Sequence, residues 1–352
     1  METTNNFSII NNNNMKQIIL TFALSICLMS CNSQEKKNTM KENPLLANIK
    51  KYDYEPIYQL QVETLYNYDI WANDVLVLTK HNNVMNVFGT FDNSFILKSG
   101  SQKLKVKIYP PIPFGEGQVT PNEYLKNGIK FKLKVEQTAW ENGSLEEPKL
   151  IMNYELPQYQ RDVNNEEDYS KPIDYSKLKE FTTELDFIAK VPYSLYSWED
   201  SEDLTKTDTL DLKKKVLAFY NEFRSSIEDG NSDFYLNSIK KAEFNYFQSN
   251  YFTIESAKSK SNKWIDFVAK GKTFEPIDSG KLEFYGNGKI VSIRGVKTWD
   301  KNEGILRYRY KKGAFNYVLV FDIFLHRPKG AKDFEIIRYS MIDKNFLKGE
   351  AK

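Results

Sequence analysis

Imidazole and thiol groups are scarce in this chain. Two histidines, His81 and His326, and two cysteines, Cys27 and Cys31, are the whole supply in 352 residues. That leaves few ligands for a transition metal, and no metal or other cofactor is expected. The sequence has no Cys-x-x-Cys pair, no His-Glu-x-x-His, no Gly-rich phosphate loop and no Gly-x-Ser-x-Gly elbow, so the commonest sequence-readable enzymes are unsupported. Glu166, Glu167 and Asp168 lack a calcium-loop spacing. Neither sign of charge dominates, with 49 Lys and Arg against 47 Asp and Glu. A net charge of +2 gives no electrostatic reason to expect nucleic acid as a partner.

The notable apolar run is Ile18 to Met29. It follows Lys16, precedes the small residue Ser30, and falls short of the roughly 20 residues a permanent membrane helix needs. These are the three parts of a cleaved secretory signal. Met15 is the expected true start, and residues 1–14 an artefact of start-codon choice. Leu28-Met29-Ser30-Cys31 resembles the lipobox of bacterial lipoproteins, and the Asn-, Lys- and Tyr-rich usage is similar to that of the Bacteroidetes group. The resemblance implies cleavage before Cys31, lipidation of Cys31 and attachment to the outer membrane, on its periplasmic or surface face. Two or more acyl chains on one residue make a stable anchor. Cys27 leaves with the signal, so the mature chain cannot form an internal disulfide. Stability then rests on core burial, for which 22 tyrosines and 23 phenylalanines supply area.

Beyond the signal (15–30) and a polar tether (31–51), residues 52–196 read as β-structure. Leu104, Val106 and Ile108 alternate with lysines, and Phe131, Leu133 and Val135 repeat the pattern, so these strands bury one face and wet the other. Ile70 to Val77 and Leu97 to Leu104 resemble segments of galactose-binding-like and jelly-roll sandwiches, which implies an antiparallel β-sandwich. Trp71 and Trp140 are its candidate sugar-stacking residues. Gln158 to Lys177 is polar and reads as a long exposed loop, and 197–208 as an acidic linker.

Asp208-Thr209-x-Asp211 then opens a helix carrying Leu212, Val216, Phe219, Phe223 and Ile227 on one stripe. Two further helices and, after Pro276, a set of antiparallel strands follow. This order over 209–345 resembles the NTF2-like superfamily, and 346–352 is a tail. The expected fold class is therefore an N-terminal antiparallel β-sandwich followed by a C-terminal α+β (NTF2-like) domain. On the late strands Asp322 and His326 share a face, on which Asp322 is placed to orient His326 as a general base. Arg307 and Arg309 share a face suited to an anionic ligand.

The leading functional expectation is a non-catalytic binding protein at the cell envelope, with an immunity protein against a delivered toxin as one form. The alternatives are an enzyme or small-ligand binder using the C-terminal cavity, and glycan binding by the sandwich. The expected contacts are thus the membrane, through lipid on Cys31, a protein partner, and in the last alternative a glycan. Replacing Cys31 with serine should release the mature part as soluble protein or leave it uncleaved. Normal processing and membrane retention of Cys31→Ser, read by fractionation and intact mass, contradicts the reading.

Overall fold

A computed structural model describes residues 42–81, 86–89, 92–111, 122–141, 144–277, 280–296, 302–313 and 315–346. The signal segment and Cys31 lie outside the described residues. The first eleven strands are β1 (Glu55–Thr64), β2 (Asn67–Ala72), β3 (Val75–Lys80), β4 (Asn86–Gly89), β5 (Gly100–Tyr109), β6 (Phe131–Glu141), β7 (Ser144–Leu145), β8 (Lys149–Glu155), β9 (Tyr159–Arg161), β10 (Glu167–Pro172) and β11 (Phe181–Ala189). Three helices follow, α1 (Thr209–Glu228), α2 (Ser232–Ser249) and α3 (Ile254–Ala269). The last strands are β12 (Lys281–Tyr285), β13 (Ile290–Arg294), β14 (Leu306–Lys312), β15 (Phe315–His326) and β16 (Glu335–Phe346).

One sheet runs β4-β1-β6-β7 with β8 also on β6, and a second runs β11-β5-β2-β3. All their pairings are antiparallel. Strict alternation puts Leu104, Val106 and Ile108 of β5 in one core with Phe131, Leu133 and Val135 of β6. The turn between β2 and β3 has Asn73 and Asp74 both at positive φ, as a two-residue type I′ turn requires. Polar residues 158–177, expected as a loop, contain the exposed hairpin β9–β10.

The third sheet runs β12-β13-β15-β14. β16 pairs along the whole inner length of β15, so β13 and β14 share its opposite edge in succession. This sheet is covered on both faces. Phe321, Ile323, Leu325, Val291 and Ile293 pack against Leu212, Val216, Phe223 and Ile227 of α1 and Tyr235 and Ile239 of α2. Tyr285, Ile290, Phe324 and Ile337 instead join the core of the first two sheets. Tyr220 of α1 reaches the sheet backbone, donating to the Ile323 carbonyl (3.0 Å) and accepting from the Ile293 N–H (3.2 Å).

The expected fold class is corrected by these contacts. The described residues are mostly β-strands in several antiparallel sheets, with three helices confined to the C-terminal part, and nothing in their arrangement singles out an NTF2-like fold. The helices fill one face of the third sheet and the first two sheets the other. The described residues all belong to one compact unit. Further bonds tie its ends together: Gly286 N–H donates to the Asp74 carbonyl, Asn287 N–H to the Asp74 carboxylate, and Leu204 N–H to the Gly288 carbonyl. Stretch 197–208 is strapped along the third sheet, with Ser201 bridged to Pro328. At the N-terminal end, Leu46 and Ile49 pack on Phe247 of α2 and Ala257 of α3.

Gly304, just before β14, faces the β15 backbone so closely that a Cβ there would lie 2.0 Å from the Phe321 carbonyl oxygen. Gly304→Ala should therefore force β14 off β15 and cost roughly 1–3 kcal/mol or more of stability. Denaturant titration with an unchanged midpoint would contradict this packing.

Candidate functional site

Asp322 and His326 both sit on β15 but do not act on each other. Four residues of strand separate them by about 13 Å. Asp322 instead accepts from Arg294 Nη1 and from Gly304 N–H, each at 2.7 Å. Arg294 is fully buried, and its guanidinium stacks on Phe324 at 4.3 Å from the ring centroid. Its Nε and Nη2 have no hydrogen-bond partner among the described residues, so the Asp322 charge is its chief compensation. Asn302 extends the network: its carbonyl lies 3.4 Å from Arg294 Nη1, and its side chain donates to Asp69 at 2.8 Å.

Asp69 is a second buried carboxylate, and nothing in the sequence marked it. It also accepts from Thr79 (2.5 Å), Tyr109 (2.8 Å) and His81 Nε2 (2.9 Å). Burial alone would raise its pKa, but His81 and the hydroxyl donors hold it below the usual carboxylate range. All of these donors converge on one internal anion, so the cluster acts as a polar rivet between the second sheet and the Asn302 segment.

His326 is buried, with Nδ1 2.8 Å from Ser201 Oγ. Its Nε2 faces Glu335 Oε2 at 3.6 Å, an ion-pair distance too long for a hydrogen bond. The Ser-His-Glu order has the outline of a nucleophilic triad. Ser201 is itself buried, however, and leaves no room for a substrate carbonyl beside Oγ. Glu335 is held down to about 2 by the His326 ring and by Lys241, whose Nζ lies 2.5 Å away. Arg307 and Arg309 both lie beside Glu275 of the same chain, at 3.8 Å for Arg307. Trp71 belongs to the second sheet and is half-buried under Lys105, whose Nζ sits 4.7 Å from its ring centroid. Trp140 ends β6 in the first sheet and is 47% exposed. The two tryptophans make no ring contact among the described residues. Among those residues, too, no group of three or more His, Cys, Asp or Glu is placed to hold a metal ion.

Charged and aromatic side chains also line a cleft of about 590 Å³ between α1, α2 and the start of β16. α1 contributes Lys215, Phe219 and Glu222; α2 contributes Phe234, Asn237 and Lys241. Each set follows the i, i+3 or i+4, i+7 spacing that puts residues on one helical face. Phe219 and Phe234 make the floor, their ring centroids 6.5 Å apart, together with Phe334. Lys240 and Lys332 stand on the rim without a side-chain partner among the described residues. Sequence reasoning had placed Phe219 in the core stripe. Phe219 packs partly buried against that core and lines the cleft, while its neighbour Tyr220 is fully buried. A second groove of about 510 Å³ involves Asn73, Asp74 and Leu97–Lys105, the segments likened to sugar-binding sandwiches. Asn73 and Gln102 there are engaged with each other and with nearby carbonyls.

Comparison with known protein families, with curated proteins and with solved structures finds no match for this chain.

The Arg294–Asp322 pair makes a stability prediction that separates it from a catalytic role. Asp322→Ala strands a buried guanidinium and should cost roughly 3–5 kcal/mol, whereas Asp322→Leu combined with Arg294→Met should recover most of that loss. A single variant as stable as the wild type in urea would sink the structural assignment.

Proposed function

We propose that the mature chain is an exported lipoprotein, held at the bacterial outer membrane through lipid on Cys31, that works by binding a protein partner. The observation that carries the reading is the signal from Met15 to Cys31, whose short apolar run ends at the small residue before the cysteine. No described helix is long and apolar enough to cross a membrane, which is in keeping with attachment through lipid.

Binding is favoured over catalysis by how the reactive side chains are used. Asp322, His326, Arg307 and Arg309 each meet an internal partner of opposite charge or a buried hydroxyl. A general base or an anion clamp needs its group free to meet substrate. The cationic and half-buried aromatic groups of the α1–α2 cleft, by contrast, need only a complementary surface, the requirement of a binding protein. An immunity protein that blocks a toxin delivered into the periplasm is one form of this function.

Tagged protein extracted gently from its native cells should bring down one partner in stoichiometric amount, and Phe234→Ala should lose it at a temperature well below the variant's own melting transition. Recovery of the chain alone under repeated mild extraction with crosslinking would count against a binding role.

A further inference from the structure

We infer that the α1–α2 cleft receives an acidic peptide segment of a protein partner, with its carboxylates on the lysine rim and an apolar side chain on the phenylalanine floor. This rests on the binding role proposed above and names the partner's chemistry.

The charge balance of the cleft points to an anion. Of its three acids, Glu335 is already paired with Lys241. That leaves Glu222 and Asp333 against Lys215, Lys240 and Lys332. Lys215 is tied only to Asp211, in an exposed pair of the kind that contributes little, so it is readily recruited. Lys213 and Lys214 on the same helix add positive potential and have no partner among the described residues.

Shape selects the kind of anion. The lysines are spread over α1, α2 and the bend before β16, so they match a row of carboxylates better than a single phosphate. The floor of Phe219, Phe234 and Phe334 lies below the rim, where a flat bilayer surface does not reach but a side chain projecting from a peptide does. A trough between two helices is the form that takes an amphipathic segment by its apolar face.

A random 12-residue peptide library displayed on phage and selected against the full mature chain tests the assignment. The expected winners are rich in Asp and Glu with Leu, Phe or Trp. Their binding should fall about tenfold in Lys240→Glu/Lys332→Glu and weaken with added salt. The milder Lys240→Gln/Lys332→Gln should give a smaller loss at an unchanged melting temperature, which guards against a folding defect. Winners without acidic enrichment, binding indifferent to both variants, or no binder above background would overturn the proposal. So would lysine-dependent binding to phosphatidylglycerol vesicles with none to peptide. The selection involves no membrane, so its failure leaves the Cys31 anchor untouched, and loss of the anchor leaves the selection unaffected.

Discussion

β15 carries apolar side chains on both faces, and the placement of every other layer follows from burying both. Phe321, Ile323 and Leu325 require the three helices on one side, while Phe324, with Tyr285 and Ile337 from its neighbours, requires the first two sheets on the other. Each fully buried Phe or Leu contributes roughly 1.5–3 kcal/mol, so neither cover is dispensable. A strand buried on both faces sits in the middle of a structure, and the hairpin tip at Gly286-Asn287 and the strap at Ser201 follow from that position.

The same constraint explains where the charged groups went. Burying the sheet between two layers also buries the polar residues at its ends, and a buried charge is tolerated only when paired. Asp322 with Arg294, Asp69 with His81 and Asn302, and His326 with Ser201 are the resulting fasteners. They fix how the layers meet, and they take the groups that looked most like catalytic candidates out of reach of a substrate. The chemistry left on the surface is that of the helical layer, where the outer faces of α1 and α2 have lysines over phenylalanines.

Much of the local structure was legible. The alternation of Leu104, Val106 and Ile108 reports a half-buried strand because the side-chain period of a strand is two, and it matches β5. The α1 stripe was legible up to one position: a 3.6-residue period cannot decide between Phe219 and Tyr220, and the bond from the Tyr220 hydroxyl to the Ile323 carbonyl turns Tyr220 inward. β15 was read as having one polar, cavity-lining face because Asp322 and His326 alternate with apolar residues. What decides otherwise is long-range, a partner 28 residues away for Asp322 and 125 away for His326. The cleft lysines were invisible for a different reason. Lysine on a helix is ordinarily solvated, and only the three-dimensional meeting of two helices over Phe219 and Phe234 distinguishes these.

If the third sheet holds both of its covers, neither half of the chain has a complete core without the other. Differential scanning calorimetry of the mature chain measures this directly. One transition is expected, with calorimetric and van't Hoff enthalpies that agree, as for a single cooperative unit. Two resolved transitions, one for residues before Asp208 and one for those after, would contradict it.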